Sequence, residues 1–214
     1  MAETNPIVQG LATIHKIISR GLNISIRKCD EYLSNKGIPQ GETMGFSMYV
    51  STLKKVTHAH HLSEDDVAFP YFMNLIEAPY DRLKDDHQKI ASILETLDKH
   101  ISEIPSSGVG KLREVLLEIE KLWVPHIIIE EENLTAEKLN KVIGIKEQAD
   151  LTEKLSRHGR ENSGPGPLTL PFMIYNLEGN DREAFTKPFP WILKKVLIPI
   201  IWKGQWKPMS PFFL

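Results

Sequence analysis

Apolar residues recur every three or four positions along residues 7–134, which is the spacing of one face of an α-helix. The spacing predicts four long helices, over residues 7 to about 33, about 42 to 69, 80 to about 105, and about 111 onwards. The links between these segments are short, which favours antiparallel packing of neighbouring helices. The predicted fold class is therefore all-α, an up-and-down four-helix bundle with additional C-terminal helices and an extended tail.

The rest of the chain predicts shorter elements packed on this bundle. One or two short helices are expected between residues 136 and 157, with a break around Gly144. GRENSGPGP, at residues 159–167, is typical of a turn-rich linker, and the proline- and aromatic-rich tail begins at Leu168. We predict a bundle with its short additional helices over residues 1–158, a linker at 159–167 and a C-terminal extension packed on the bundle over 168–214.

Histidines and glutamates interrupt the apolar face of each long helix. On the second helix the apolar stripe continues at His60 and Glu64, and His61 is close enough to converge on the same spot. The first and third helices each carry one histidine in phase with their apolar residues. On the fourth helix, a stripe of Leu112, Val115, Ile119 and Leu122 continues to a histidine and a glutamate. The candidate site residues are His15, His60, His61, Glu64, His87, His126 and Glu130.

These residue types together favour a metal site. A single histidine on an apolar face is usually a satisfied core residue, but burying several imidazoles and two carboxylates without compensation is costly. Imidazole nitrogen and carboxylate oxygen are good ligands for iron, manganese or zinc. Seven ligands are too many for one ion, and structural zinc normally uses cysteine. Two octahedral ions bridged by carboxylates use this number, so we predict two iron ions, with manganese or zinc as possible substitutes.

The same residues form motifs that resemble the hemerythrin-like, HHE cation-binding family over about residues 7–134. The motifs are His15, the HHxxE run at 60–64 leading to Phe69-Pro70, the Asp86-His87 pair and HIIIEEE at 126–132. The tail, with LPFMIYNLEGNDREAF at 170–185, is similar to the segment after the bundle in fungal members. The resemblance implies a non-haem di-iron centre with Glu64 and Glu130 as bridging ligands. Asp65 and Glu131, each one residue further along, are the alternatives.

Two positions depart from the dioxygen carriers of that family. Ala91 stands four residues after His87, where the carriers have a second histidine, and Glu131 stands five residues after His126, where they have aspartate. Both departures argue against reversible carriage of dioxygen. We expect a di-iron protein that binds or reacts with dioxygen or peroxide, in one form an oxidase or oxygenase acting on a small molecule. The alternatives are a non-catalytic protein that binds, senses or stores iron or dioxygen, and a metal-free bundle that acts through partners.

Charge, cysteine content and hydropathy indicate which partners and which cellular location to expect. A formal net charge of −2 provides no broad basic surface, so nucleic acid is not an expected partner. A single cysteine, Cys29, excludes an internal disulfide and, without a secretory leader, predicts a cytoplasmic location. Residues 191–202 are the most apolar segment, but two lysines and a proline interrupt it and it is too short for a membrane span. We expect it to be a packing element, with an interfacial membrane helix as the alternative.

Overall fold

The computed structural model describes residues 4–104 and 108–213. All regular structure in these residues is helical, and they contain no strand. The first five helices are α1 (Pro6–Ser34), α2 (Glu42–Ser63), α3 (Phe69–Phe72), α4 (Tyr80–Glu103) and α5 (Val109–Asn133). α1 and α4 each pack against both α2 and α5, which closes a ring of four long helices. The predicted all-α bundle is confirmed. The predicted end of the third long helix, at about residue 105, lies outside the described residues.

The second long helix continues past its predicted end by changing its hydrogen-bonding pattern. A π-turn, Glu64–Ala68, comes directly after α2, and α3 then carries Pro70. In an α-helix the ring of Pro70 would clash with the carbonyl four residues earlier, and a π-turn is a wider arrangement. The helix therefore reaches Pro70 through a π-turn, and Glu64 is the first residue of that turn.

The apolar core consists of two clusters of buried side chains. The larger one contains Ile17 of α1, Val56 of α2 and Ile90 of α4. The smaller one contains Ile7 of α1 and Leu83 of α4. α1 and α4 contribute buried residues to both clusters, at different positions along their length. A layer of the bundle between them is thus left for side chains of another kind.

Two further helices, α6 (Ala136–Val142) and α7 (Ile145–Asn162), extend the smaller cluster. α7 packs on α1, α2 and the π-turn, where His158 lies 3.1 Å from the Ser63 hydroxyl and 3.2 Å from the Asp66 carboxylate. Residues 159–162, the first part of the predicted linker, are helical and belong to α7. Only residues 163–165 separate it from the next helix.

The tail consists of α8 (Gly166–Tyr175), α9 (Gly179–Thr186), a second π-helix (Leu193–Ile201), α10 (Lys203–Trp206) and a 3₁₀-helix (Lys207–Phe212). Phe172, Met209 and Phe212 are buried in the larger cluster. The hydroxyl of Tyr49 on α2 donates a 2.6 Å hydrogen bond to the Asn176 side chain. These contacts cover the outer side of α2. The division into bundle, linker and extension stays a prediction.

None of the helices in the described part of the chain is both long and apolar enough to cross a membrane.

Gly45 allows the tail to lie directly on α2, because a Cβ at this position would overlap the Pro208 carbonyl oxygen. We predict that Gly45→Ala lowers the free energy of unfolding by about 1–3 kcal/mol, since the backbone of the tail must move away. Urea denaturation measures the change. Gly10→Ala is the matched control, because Gly10 lies in α1 with open space around its Cα, and alanine there should stabilise by about 0.5–1 kcal/mol. Equal stabilisation by both substitutions would show that the tail does not lie on α2.

Candidate metal centre

Four helices and the π-turn bring all seven predicted residues into the layer between the two apolar clusters. α1 contributes His15, α2 contributes His60 and His61, and α4 contributes His87. Glu64 comes from the π-turn, and α5 contributes the remaining two residues, His126 and Glu130. None of the seven is more than 7% exposed. The helical period places each of them on an inner face, as the sequence predicted; their role as ligands stays a prediction.

The seven side chains form two groups. One consists of His61, His87 and His126, and the other of His15, His60, Glu64 and Glu130. Within each group, one possible ligand atom of every residue lies within 4.8 Å of those of the others. In the first group the Nε2 atoms of His87 and His126 are 3.2 Å apart, and the rings of His61 and His87 stack at 4.1 Å. Each group has a size and a donor set that could hold one metal ion.

The two glutamates connect these groups. Glu64 has Oε1 3.3 Å from Nδ1 of His60 and Oε2 3.3 Å from Nε2 of His87. Glu130 has Oε2 3.3 Å from Nε2 of His15 and 3.6 Å from Nε2 of His126. Each carboxylate therefore touches an imidazole of both groups, which is the position that a bridging ligand requires.

Asp65 and Glu131, the alternatives to the two glutamates, lie outside this arrangement. The Nδ1 atom of His15 donates to Glu131 at 2.8 Å, and Nδ1 of His87 donates to Asp65 at 2.9 Å. A carboxylate that accepts from one ring nitrogen fixes the tautomer and leaves the other nitrogen free to bind a metal. Both acids thus orient histidines from outside the centre, with Nε2 of each ring facing inwards.

Aromatic side chains close the layer, and sequence reasoning missed the largest of them. Trp123 of α5 is fully buried, and its ring meets His15 edge-on at 5.4 Å. Its indole N–H donates to the Ser19 hydroxyl at 2.8 Å. Phe69 stacks on His87 at 5.5 Å. The spacing contained a signal for Trp123, because it lies three residues before His126 and so on the same face of α5.

Comparison with known families agrees with this geometry. The sequence profile described as Hemerythrin HHE cation binding domain matches residues 7–137. The chain belongs to this family. Searches of curated proteins and of solved structures gave no match. The hemerythrin domain contains all seven site residues, whereas α7 and the tail lie outside the matched region.

Burial sets the protonation of several histidines in the hemerythrin domain. Desolvation lowers the pKa of His60 and of His61 well below the ordinary value, and the neighbouring imidazoles lower both further. Desolvation also lowers the pKa of His126 to about 4, against the opposing charge of Glu130. These rings are therefore neutral at pH 7, and the neutral imidazole is the form that binds a metal ion.

The two buried carboxylates differ in their protonation. Desolvation and the nearby charge of Glu130 raise the pKa of Glu64 well above the ordinary value. Desolvation alone would raise the pKa of Glu130 as well, but the interaction with His15, whose Nε2 lies 3.3 Å from Oε2, outweighs it, so that pKa is lowered. Without a cation, two adjacent buried carboxylates do not both carry a charge. A bound cation would remove that restriction.

Unpaired polar atoms show that the site fits a metal. Among the described residues, eleven buried side-chain nitrogen or oxygen atoms have no hydrogen-bond partner, and nine of them belong to this centre. They include both carboxylate oxygens of Glu64, both of Glu130 and both ring nitrogens of His61. Because buried polar atoms are nearly always paired, such a concentration calls for a ligand. Metal coordination satisfies imidazole nitrogens and carboxylate oxygens together.

We predict that Glu64→Met stabilises the protein when metal is withheld. Methionine has a similar length, and its side chain needs no hydrogen-bond partner, so the free energy of unfolding should rise by about 1–3 kcal/mol. Urea denaturation with a chelator present measures this. Glu118→Met, on the exposed face of α5, is the control and should change stability by less than about 0.5 kcal/mol. A loss of stability in the Glu64 variant would show that its carboxylate is well satisfied without metal.

Proposed function

We propose that the hemerythrin domain binds two iron ions. One would be held by His61, His87 and His126, and the other by His15 and His60. Glu64 and Glu130 would bridge the two ions. The observation that carries this proposal is that each glutamate lies within 3.6 Å of an imidazole in both groups.

The donor set supports iron in particular. All seven side chains offer nitrogen or oxygen, and the single cysteine, Cys29, lies in the larger apolar cluster. Thiolate ligands, which structural zinc sites prefer, are therefore missing from this centre. Imidazole combined with carboxylate suits iron, and manganese or zinc would accept the same donors.

The number of donors supports reactivity with a small molecule. With both carboxylates bridging, the group with three histidines would supply five donors and the group with two would supply four. An octahedral ion has six positions, so both ions would keep open positions. We propose that dioxygen or peroxide binds there. Iron, when bound, would supply the electrons for binding or reducing it.

The surrounding side chains have separate tasks in this proposal. Trp123 and Phe69 line the layer with apolar surface and so limit the entry of water. Glu131 and Asp65 hold the Nδ1 protons of His15 and His87, which directs both Nε2 atoms inwards. An oxidase or oxygenase that acts on a small molecule is the enzymatic form of this function.

The alternative is a protein that binds, senses or stores iron or dioxygen without catalysis. Burial of the centre favours it, because side chains that are at most 7% exposed admit dioxygen more easily than an organic substrate.

We also propose a cytoplasmic location. Cys29 is a free and fully buried thiol, and burial raises its pKa to about 12. A chain whose single cysteine remains unpaired suits a reducing compartment.

The stoichiometry of iron tests the two-ion proposal. Protein loaded with ferrous iron under anaerobic conditions should retain about two ions per chain after desalting, measured by elemental analysis. His15→Ala and His61→Ala should each reduce this to about one, because they remove a ligand from different groups. His58→Ala is the matched control, since His58 lies on the exposed side of α2 and should leave the content unchanged. One ion in the unaltered protein, or equal losses in all three variants, would contradict the proposal.

Oxygenation separates the two proposed functions. We expect the reduced, iron-loaded protein to consume dioxygen on mixing, with an absorbance change that purging with argon does not reverse. Ala91 underlies this expectation, because the reversible carriers have histidine there. An oxygen electrode combined with absorbance spectroscopy provides the measurement. Full recovery under argon would favour the non-catalytic alternative, and no response to dioxygen would contradict the proposal that dioxygen binds at this centre.

A further inference from the structure

Four of the most exposed large apolar side chains lie within eleven residues of the tail. Trp191, Ile192, Ile200 and Ile201 are 68%, 54%, 67% and 59% exposed. Scattered exposed apolar residues are ordinary, but a contiguous patch marks an interaction surface. We call residues 191–201 the tail face.

The second π-helix presents Ile200 and Ile201 to solvent, and Trp191 and Ile192 lie directly before its first residue. Ile198 is only 3% exposed, and the Trp206 indole donates a 2.8 Å hydrogen bond to its carbonyl oxygen. A π-helix repeats through bonds from residue i to i+5, so Lys195 and Ile200 share a face, as do Val196 and Ile201. The side at Ile198 is thus anchored to the protein, and the apolar side faces solvent.

The charged side chains from residue 184 onwards all carry the same sign. The last acidic residue of the chain is Glu183, and five lysines come after it, at positions 187, 194, 195, 203 and 207. The overall formal charge of the chain is −2, so this cationic segment differs from the rest. No salt bridge in the described part of the chain includes any of the five.

We propose that the tail face binds the surface of an anionic lipid membrane. Exposed isoleucine and tryptophan side chains would enter the boundary between headgroups and acyl chains, and the lysines would contact lipid phosphates. Tryptophan is the side chain that membrane interfaces favour. The proposal concerns the tail and is independent of the metal centre.

Charge argues against the other occupants. A symmetric contact with a second copy of the chain would use the same surface on both copies, which would bring the lysines of one tail face against those of the other. Protein interfaces in general are depleted in lysine. An anionic lipid surface satisfies the apolar side chains and the lysines at once.

Co-sedimentation with lipid vesicles tests the proposal on the full chain. We expect binding to vesicles that contain phosphatidylserine, little binding to pure phosphatidylcholine vesicles, and weaker binding in about 0.5 M NaCl. A blue shift of tryptophan fluorescence should accompany binding and should diminish in Trp191→Phe, because Trp191 is the most exposed tryptophan of the described residues.

Two double variants separate the contributions. Lys194→Glu/Lys195→Glu should weaken binding at least roughly tenfold, since each lysine near an anionic surface contributes about fivefold. Ile200→Ser/Ile201→Ser should weaken it by about tenfold or more through loss of apolar burial. Ile145→Ser/Lys146→Glu is the matched control at an exposed isoleucine–lysine pair on α7 and should bind normally.

The results that overturn the proposal are specific. Equal binding to neutral and anionic vesicles would exclude the role of the lysines, and no vesicle binding would exclude membrane docking altogether. Sedimentation velocity without lipid adds a third outcome: a dimer that Ile200→Ser/Ile201→Ser dissociates would assign the tail face to self-association. All the altered side chains are at least partly exposed, so thermal unfolding of the variants should match that of the unaltered chain.

Discussion

The structure depends on the burial of two carboxylates among five imidazoles in one layer of a helical bundle. Such a layer is unfavourable by itself, because its polar atoms leave water and most of them find no hydrogen-bond partner. Apolar clusters on both sides provide the burial that keeps the bundle folded around it. Cations bound to these nitrogen and oxygen atoms would reverse the balance at this layer. Membership of a cation-binding family agrees with that account.

Helix geometry also determines which acidic side chains face the buried layer and which ones orient a histidine from outside it. Adjacent residues on a helix point about 100° apart, so Glu130 faces the layer while Glu131 reaches the outer nitrogen of His15. At the start of the π-turn, Glu64 lies against Nε2 of His87 inside the layer, and Asp65 accepts from Nδ1 of the same ring outside it. One residue of register therefore distinguishes a bridging position from an orienting one. Glu64 and Asp65 both belong to the π-turn that precedes Pro70.

The sequence predicted the bundle and the convergence of the seven side chains because both result from helical periodicity. The inner face of α5 was predicted less well: Leu116 and Trp123 are fully buried, whereas Val115 and Leu122 are only partly so. A stripe defined by steps of three and four leaves neighbouring positions ambiguous, and that ambiguity concealed Trp123. The tail buries the outer side of α2 as well. Helical periodicity could not predict this burial, because the tail is distant from α2 in the sequence. The outer roles of Asp65 and Glu131 required atomic positions, since the sequence alone left them as alternatives to the bridging acids.

Anomalous diffraction from crystals of the iron-loaded protein, recorded on both sides of the iron absorption edge, tests the central claim most directly. The account predicts two iron peaks in the buried layer, about 3.5–4 Å apart, with Glu64 and Glu130 in contact with both. One peak should lie among His61, His87 and His126, and the other between His15 and His60. A single peak, or iron bound outside the layer, would contradict the account.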